Sequence, residues 1–365
     1  MNIRTLLEKL VAFPTVTGQL HDTNEALNFI ENYLRERGMH LYRTEHEGYG
    51  ALVATTQKTK TPRVMLAGHI DVVPGSPDMF TVREQDGKLF GRGVWDMKSA
   101  VAGYLLAVDA LKDELADYDF GIMLTTDEET RDMGVKNLIA EGYRPTEAAV
   151  LLDGGYDWQL QRVAKGSFYG TMTITDQTGH GSRPWLVNSA SMRLVQLLSD
   201  LQKLFPEPGP LGNTINISAI QSGVLGQALN QIPAQATAGI DVRVMNEAEA
   251  HRLKTAINDT CETYGASFEV IVDFKALQHS MHSPHMAAFA AQIQKVTGIQ
   301  NEGVVSAGAS DASHFMALGV ECVVTWPVGG GHHSEHEWID AQSLEHIAPI
   351  ITGYVRNMAR RMPEH

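Results

Sequence analysis

Two cysteines in 365 residues, Cys261 and Cys322, are too few to staple a disulfide scaffold. They suit a reducing compartment and leave a single disulfide open. Cationic side chains are also scarce. Lys and Arg number 29 against 43 Asp and Glu, a formal charge of −14, which argues against nucleic acid or an anionic membrane surface as the main partner. No uninterrupted apolar run approaches a membrane span. The opening stretch Met1-Asn-Ile-Arg-Thr-Leu-Leu-Glu-Lys-Leu10 is amphipathic and charged, without the apolar core and small-residue cleavage site of a signal peptide. A soluble, cytoplasmic chain is the expectation. Internal repeats and low-complexity linkers are missing. So is a Gly-x-Ser-x-Gly elbow, and neither cysteine lies near a suitable histidine in the expected layout, which sets aside serine and thiol nucleophiles.

What is present is an ordinary globular balance, 43% hydrophobic and 20% charged, in a chain long enough for two domains. Apolar residues at helical spacing predict a helix over 22–38, capped by Asp22 or Thr23 and stopped by Gly38. Short strands are expected near 41–45, 50–55, 63–68, 120–126 and 148–153, with a helix over 97–112. Strands alternating with helices predict an α/β domain around a mostly parallel sheet. The character changes near 166. Strands near 168–175, 214–220, 236–244 and 267–273, with helices over 188–205 and 247–263, predict a small α+β insert. The first pattern resumes with a helix over 284–298, a strand near 320–326 and a helix over 342–360. The expected organisation is therefore a discontinuous domain, 1–165 and 282–365, interrupted by an insert at 166–281.

Polar residues gather just past the expected strands: His69 after 63–68, Glu128 after 120–126 and Asp153 at the end of 148–153. In open α/β sheets that edge is where ligands bind. His69 and Asp71 in Leu66-Ala-Gly-His-Ile-Asp-Val-Val-Pro74 pair a good zinc ligand with a carboxylate able to fix its tautomer. Asp96, in Gly91-Arg-Gly-Val-Trp-Asp-Met-Lys98, is either a helix cap or a carboxylate offering both oxygens to two cations about 3.5–4 Å apart. Glu128-Glu129 is either a solvated turn or a pair dividing two tasks, one binding metal and one taking a proton from water. Asp153 before Gly154-Gly155 reads as a turn or a ligand, and His333 in Gly329-Gly-Gly-His-His-Ser334 as a loop residue or a ligand. Their joint occurrence is the raw material of a two-metal hydrolase.

These pieces, together with Thr126-Asp-Glu-Glu129, Gly308-Ala-Ser-Asp-Ala312 and His333-Ser-Glu-His-Glu337, resemble a known family over nearly the whole chain. It is the two-zinc family of acetylornithine deacetylase, succinyl-diaminopimelate desuccinylase, aminoacylase, glutamate carboxypeptidase and peptidase T. The resemblance implies a zinc-exopeptidase-like catalytic domain and a ferredoxin-like lid and dimerisation domain. It implies that His69 and Asp153 hold one zinc, that Glu129 and His333 hold the other, and that Asp96 bridges them ahead of a cis peptide bond to Met97. His333 is preferred to His332 because Glu337 stands four residues after it. Asp71 would orient His69, and Glu128 would be the general base of metal-assisted amide hydrolysis. Cobalt or manganese suit the same ligands. In the lid, His180 of Gly179-His-Gly-Ser182 matches an oxyanion-binding histidine, acting in its own chain or across a homodimer. Asn230 and Arg243 are candidates for gripping a substrate carboxylate, Arg243 alternatively forming a strand-end ion pair. Gly308 and Ser310 either bind the substrate backbone or make a tight turn.

Four departures from the family pattern stand out, the sharpest at position 153. Trp95 stands where small residues are common, Ser182-Arg-Pro184 replaces a small residue followed by proline, and Ser313 stands where a basic residue often follows. At position 153 the family's deacylases and carboxypeptidases usually have glutamate, and its di- and tripeptide aminopeptidases aspartate. Asp153 thus points to small peptides with a free amino end, with an N-acyl amino acid as the alternative substrate. A silent binding protein of the same fold has no need of Glu128.

Overall fold

The computed structural model describes residues 1–361 apart from 132, 208, 227 and 307–309. The chain divides into two compact units, one of Met1–Arg162, His279–Val304 and Ser310–His365, the other of Val163–Gln278 and Val305–Ala309.

In the first unit, alternate residues of each strand serve two different cores, as the period of two requires. Val64 and Leu66 join Ile122, Leu124 and Val150 in the larger core, whereas Met65 and Ala67 join Met123, Ala149 and Leu151 in a smaller one. The sheet therefore carries helices on both faces. It has six strands in the order His40–His46, Tyr49–Thr55, Phe120–Thr125, Val64–His69, Ala148–Leu151 and Glu321–Val324. The last four run parallel to one another; the first two are antiparallel additions at one edge. Helices Ile3–Val11, Leu20–Arg35, Lys98–Leu111, Pro284–Thr297 and Ala341–Met358 fill the larger core; Gly134–Ala140 and Ala312–Met316 cover the smaller.

The second unit has a four-stranded antiparallel sheet in the order Thr214–Ser222, Gln235–Val244, Gly166–Thr175 and Ala266–Phe274. Helices Ala190–Gln202 and Glu247–Thr263 pack on it through Leu194, Leu197, Leu253 and Ile257 against Phe168, Met172, Ala238 and Ile240. The chain order strand–helix–strand–strand–helix–strand with this sheet order is the ferredoxin-like arrangement. Among the described residues, no helix is long and apolar enough to cross a membrane.

Two local expectations change. The helix expected over 22–38 begins at Leu20 after Gln19 and ends at Arg35. Thr23 does not cap it, because its hydroxyl donates back to the Gln19 and Leu20 carbonyls from inside the first turn. Gly38 does sit in the left-handed region, at φ +80°. A small antiparallel sheet of Gly329–Gly330, Trp338–Asp340, Lys88–Phe90 and Arg83–Gln85 was not expected, since strands of two or three residues carry no readable period.

Gly103 lies inside the helix Lys98–Leu111, where a Cβ would stand 2.1 Å from Ile347 Cγ2 of the helix Ala341–Met358. Gly103→Val is expected to lower unfolding stability by about 1–3 kcal/mol in urea, overpacking outweighing valine's better helix propensity. Ile347→Ala in the same chain should return part of the loss, the coupling being read from the double-mutant cycle.

Candidate metal centre

Three adjacent parallel strands end at one place. His69 is the last residue of its strand, Glu128 and Glu129 follow Thr125, and Asp153 follows Leu151. Asp96 comes to the same edge from the loop that precedes the helix Lys98–Leu111, and its peptide bond to Met97 is cis. His69, Asp96 and Asp153 are all buried and offer ligand atoms within 4.8 Å of one another. A second such group, Asp96, His332 and His333, shares the aspartate. The two oxygens of Asp96 divide between them. Oδ1 lies 3.3 Å from His69 Nε2, and Oδ2 lies 2.8 Å from His332 Nε2 and 3.5 Å from His333 Nε2. His333 Nε2 also stands 2.9 Å from Glu129 Oε2, and Glu128 Oε2 lies 3.9 Å from His69 Nε2.

His69 Nε2, Asp96 Oδ1 and Asp153 Oδ2 are buried and have no hydrogen-bond partner among the described residues. Leaving three such atoms unpaired is costly unless something else meets them. Imidazole nitrogen and carboxylate oxygen are the donor set of zinc, and cobalt or manganese accept it too. The residues present therefore fit a divalent cation.

Burial pushes the Asp153 carboxyl up to about 7, and the neighbouring Asp96 charge adds to the rise. Burial likewise drives Glu128 well above the ordinary carboxylate range, against the pull of His69. Burial also opposes charge on Asp96, yet the His332, His333 and His69 rings beside it hold its carboxyl well below the usual range. Hydrogen bonds to Asp96 and Glu129 lift His333 to about 10.

Two further carboxylates face away from the centre and hold its loops. His69 Nδ1 meets the Asp71 carbonyl at 3.0 Å, which leaves Nε2 as the ring's acceptor. The Asp71 carboxylate stands 3.6 Å from that ring nitrogen and instead accepts the Glu128 and Glu129 backbone N–H groups at 3.3 and 3.2 Å. The expected orientation of His69 thus runs through the backbone of residue 71. Glu337 accepts the N–H groups of Gly93, Trp95 and Asp96 at 3.0, 3.0 and 3.2 Å, and Arg92 Nη1 at 2.8 Å. The small antiparallel sheet brings Glu337 beside the Gly91–Asp96 loop, with Gly91 donating to the Glu337 carbonyl.

His332 was not among the expected site residues. Its ring lies 3.8 Å from that of His333 and 5.2 Å from that of Trp326, which packs at a tilt against Trp95 with centroids 4.4 Å apart. A histidine in a glycine loop carries no positional signal beyond its neighbour's. Ser310 immediately precedes Asp311 and the helix Ala312–Met316, its carbonyl accepting from Ser313 N–H. Gly308 lies outside the described residues. His180, Asn230 and Arg243 belong to the second unit. There His180 Nδ1 meets the Ser182 hydroxyl at 2.9 Å, and Gly181 N–H donates to the Asn230 carbonyl at 2.6 Å. The Arg243 fork holds Asp241 at 2.8 and 3.1 Å and the Tyr169 hydroxyl at 3.0 Å.

Arg92 and Glu337 are both buried. Glu337→Ala would strand the guanidinium and three loop N–H groups, so urea unfolding is expected to show a loss of about 3–5 kcal/mol.

The sequence pattern of peptidase family M20/M25/M40 matches residues 65–357. A succinyl-diaminopimelate desuccinylase of Bordetella avium is 25% identical over 97% of this chain and 97% of its own length. That of Xanthobacter autotrophicus is 28% identical over 97% of this chain and 98% of its own. Among solved structures, a tripeptidase from Staphylococcus aureus superposes with a TM-score of 0.82 at 18% identity, covering 99% of this chain and 98% of its own. The aminopeptidase PepT of Bacillus cereus gives 0.80 at 17% identity, covering 98% of each chain. At such identities the two structures speak for the fold alone. The match over 65–357 decides the assignment: the chain belongs to peptidase family M20/M25/M40 and is a hydrolase of that family.

Proposed function

We propose that the chain cleaves an amide bond of a small peptide with a free amino end, using two zinc ions and Glu128 as general base. In this reading His69 and Asp153 would hold one cation, Glu129 and His333 the other, and Asp96 would serve both. The observation that carries it is Asp96 lying between His69 and Asp153 on one side and His333, itself 2.9 Å from Glu129, on the other, with unpaired His69 Nε2, Asp96 Oδ1 and Asp153 Oδ2 inside. When bound, the cations supply Lewis acidity and make water a better proton donor. Glu128 stands beside His69, with Oε2 3.9 Å from Nε2, and its backbone is fixed by Asp71. Its carboxylate takes a proton from water and returns it to the leaving amine, a task suited to a carboxyl whose hold on a proton burial strengthens.

The second unit serves as the lid in the same proposal. His180 donates to the developing oxyanion, while Asn230 and Arg243 hold the substrate's charged end, and Gly308 and Ser310 its backbone. Homodimer formation through this unit is supported by its exposed apolar side chains, Met192 and Val195 on one helix and Ile220, Leu225 and Leu229 beyond it. A cytoplasmic setting accords with Cys261 and Cys322 both being free and buried. The second reading is an N-acyl-amino-acid deacylase. It is favoured by the curated relatives named desuccinylases, whereas Asp153 favours the peptide.

Zinc-loaded protein and a chelated control should be assayed against dipeptides, tripeptides, N-acetyl amino acids and an N-succinyl amino acid. Metal-dependent cleavage confined to free-amino peptides is expected. Cleavage confined to acylated amino acids would move the chain to the second reading. Glu128→Ala is expected to keep both cations by elemental analysis yet lose about 10²–10⁴-fold in kcat; full activity in that variant would sink the assigned base.

A further inference from the structure

The segment Phe13–Thr17, between the first two helices, belongs to no strand of the sheet, yet five hydrogen bonds tie it to Lys98 and to residues 70–72 beside the centre. Lys98 Nζ donates to the Phe13 carbonyl at 2.8 Å, and the buried Thr15 hydroxyl donates to the Ile70 carbonyl at 2.5 Å. Val72 N–H donates to the Thr15 carbonyl at 3.0 Å, and Thr17 N–H to the Val72 carbonyl at 3.1 Å. The segment therefore runs as a short parallel strap along residues 70–72, with Val16 bridged to Val72. At its end the Thr17 hydroxyl donates to Asp71 Oδ2 at 2.7 Å.

That bond reaches further than its own pair. Asp71 is fully buried, and its two oxygens have a limited set of donors. Oδ2 accepts from Thr17 Oγ1 and Glu129 N–H; Oδ1 accepts from Glu128 N–H. The Thr17 contact is the shortest of the three and the one made by a side chain that a conservative change can delete. Without it the carboxylate keeps two long backbone bonds, both from the loop it is meant to hold. Asp71 would then be free to turn about its side-chain torsions, and the backbone of the Glu128-Glu129 pair would lose a fixed reference. The carbonyl that receives His69 Nδ1 belongs to the same residue.

We infer that Thr17 is a positioning residue: its hydroxyl fixes the Asp71 carboxylate, and through it the placement of Glu128, Glu129 and the His69 ring. This rests on the proposed metal-dependent hydrolysis for its catalytic consequence, but not for its effect on cation binding. Removing a group that acts behind metal ligands typically costs about 10–100-fold in affinity or activity.

The test compares Thr17→Val and Thr17→Ala, which lack the hydroxyl, with Thr17→Ser, which keeps it and loses the methyl. Zinc affinity is read by competition with a chromophoric chelator, kcat and KM on whichever panel substrate is cleaved, and the melting temperature alongside. The expected result is zinc binding weakened about 10-fold and kcat lowered about 10–100-fold in both hydroxyl-free variants, with KM little changed and Thr17→Ser close to the parent. Parental affinity and kcat in Thr17→Val or Thr17→Ala would overturn the inference, whatever happens to the melting temperature. Equal impairment in Thr17→Ser would also overturn it, since the methyl's packing would then be the cause. If the parent cleaves nothing in the panel, the proposed hydrolysis has failed, and the zinc-affinity comparison still decides the role of Thr17.

Discussion

Asp96, Asp153 and Glu128 gather carboxyl groups in a space largely closed to water, where burial and the Asp96 charge make Asp153 and Glu128 harder to ionise. Such a cluster does not hold itself together. Its side chains must aim their nitrogen and oxygen atoms at common points, while the loops that carry them have backbone N–H groups of their own to satisfy. Asp71 and Glu337 meet that second demand. One accepts from Glu128 and Glu129, the other from Gly93, Trp95 and Asp96. Each is seated by a further donor, Thr17 for Asp71 and Arg92 for Glu337. The centre's loops are thus held from behind by carboxylates that need touch no cation.

The sheet makes this arrangement possible by placing the ends of three parallel strands side by side. Val64 to Ala67 is buried on both faces, so the strand cannot slip by one residue without moving a whole row of side chains into the wrong core. His69 is therefore delivered to a fixed height at the sheet's edge. The histidine segment arrives differently. It comes from far along the chain through a small antiparallel sheet, and the Arg92–Glu337 contact spans 245 residues. Buried charge and main-chain bonds rather than a long element fix that approach.

The long, strongly patterned elements were legible in the residues. The strand Gln235–Val244 alternates in burial along nearly its whole length, and the helix Glu247–Thr263 shows its apolar spacing at Ala250, Leu253, Ile257 and Cys261. Short elements were not. Gly134–Ala140 and Ala312–Met316 are too brief for a period to emerge, and Gly329–Gly330 is a strand only because Trp338 and Ile339 lie beside it. The centre was legible to the extent that polar residues stand just past buried strands. His332 is passed over in the sequence because Glu337 stands four residues after His333 and not after it, and the roles of Glu337 and Thr17 were hidden because their partners are remote in sequence.

By itself the sequence determined the two-unit α/β and α+β layout, through the periods of its apolar residues, and the set of groups able to bind a cation, through their chemistry and their place after strands. Tertiary structure decided which of those groups meet: that the two oxygens of Asp96 face different histidines, that His69 leans on a carbonyl rather than a carboxylate, and that Asp71 and Glu337 hold backbone instead of ligands. The reason is physical. Period and composition are properties of neighbours in the chain, whereas hydrogen-bond partners and buried charge pairs are settled by which surfaces pack together once the apolar ones are enclosed.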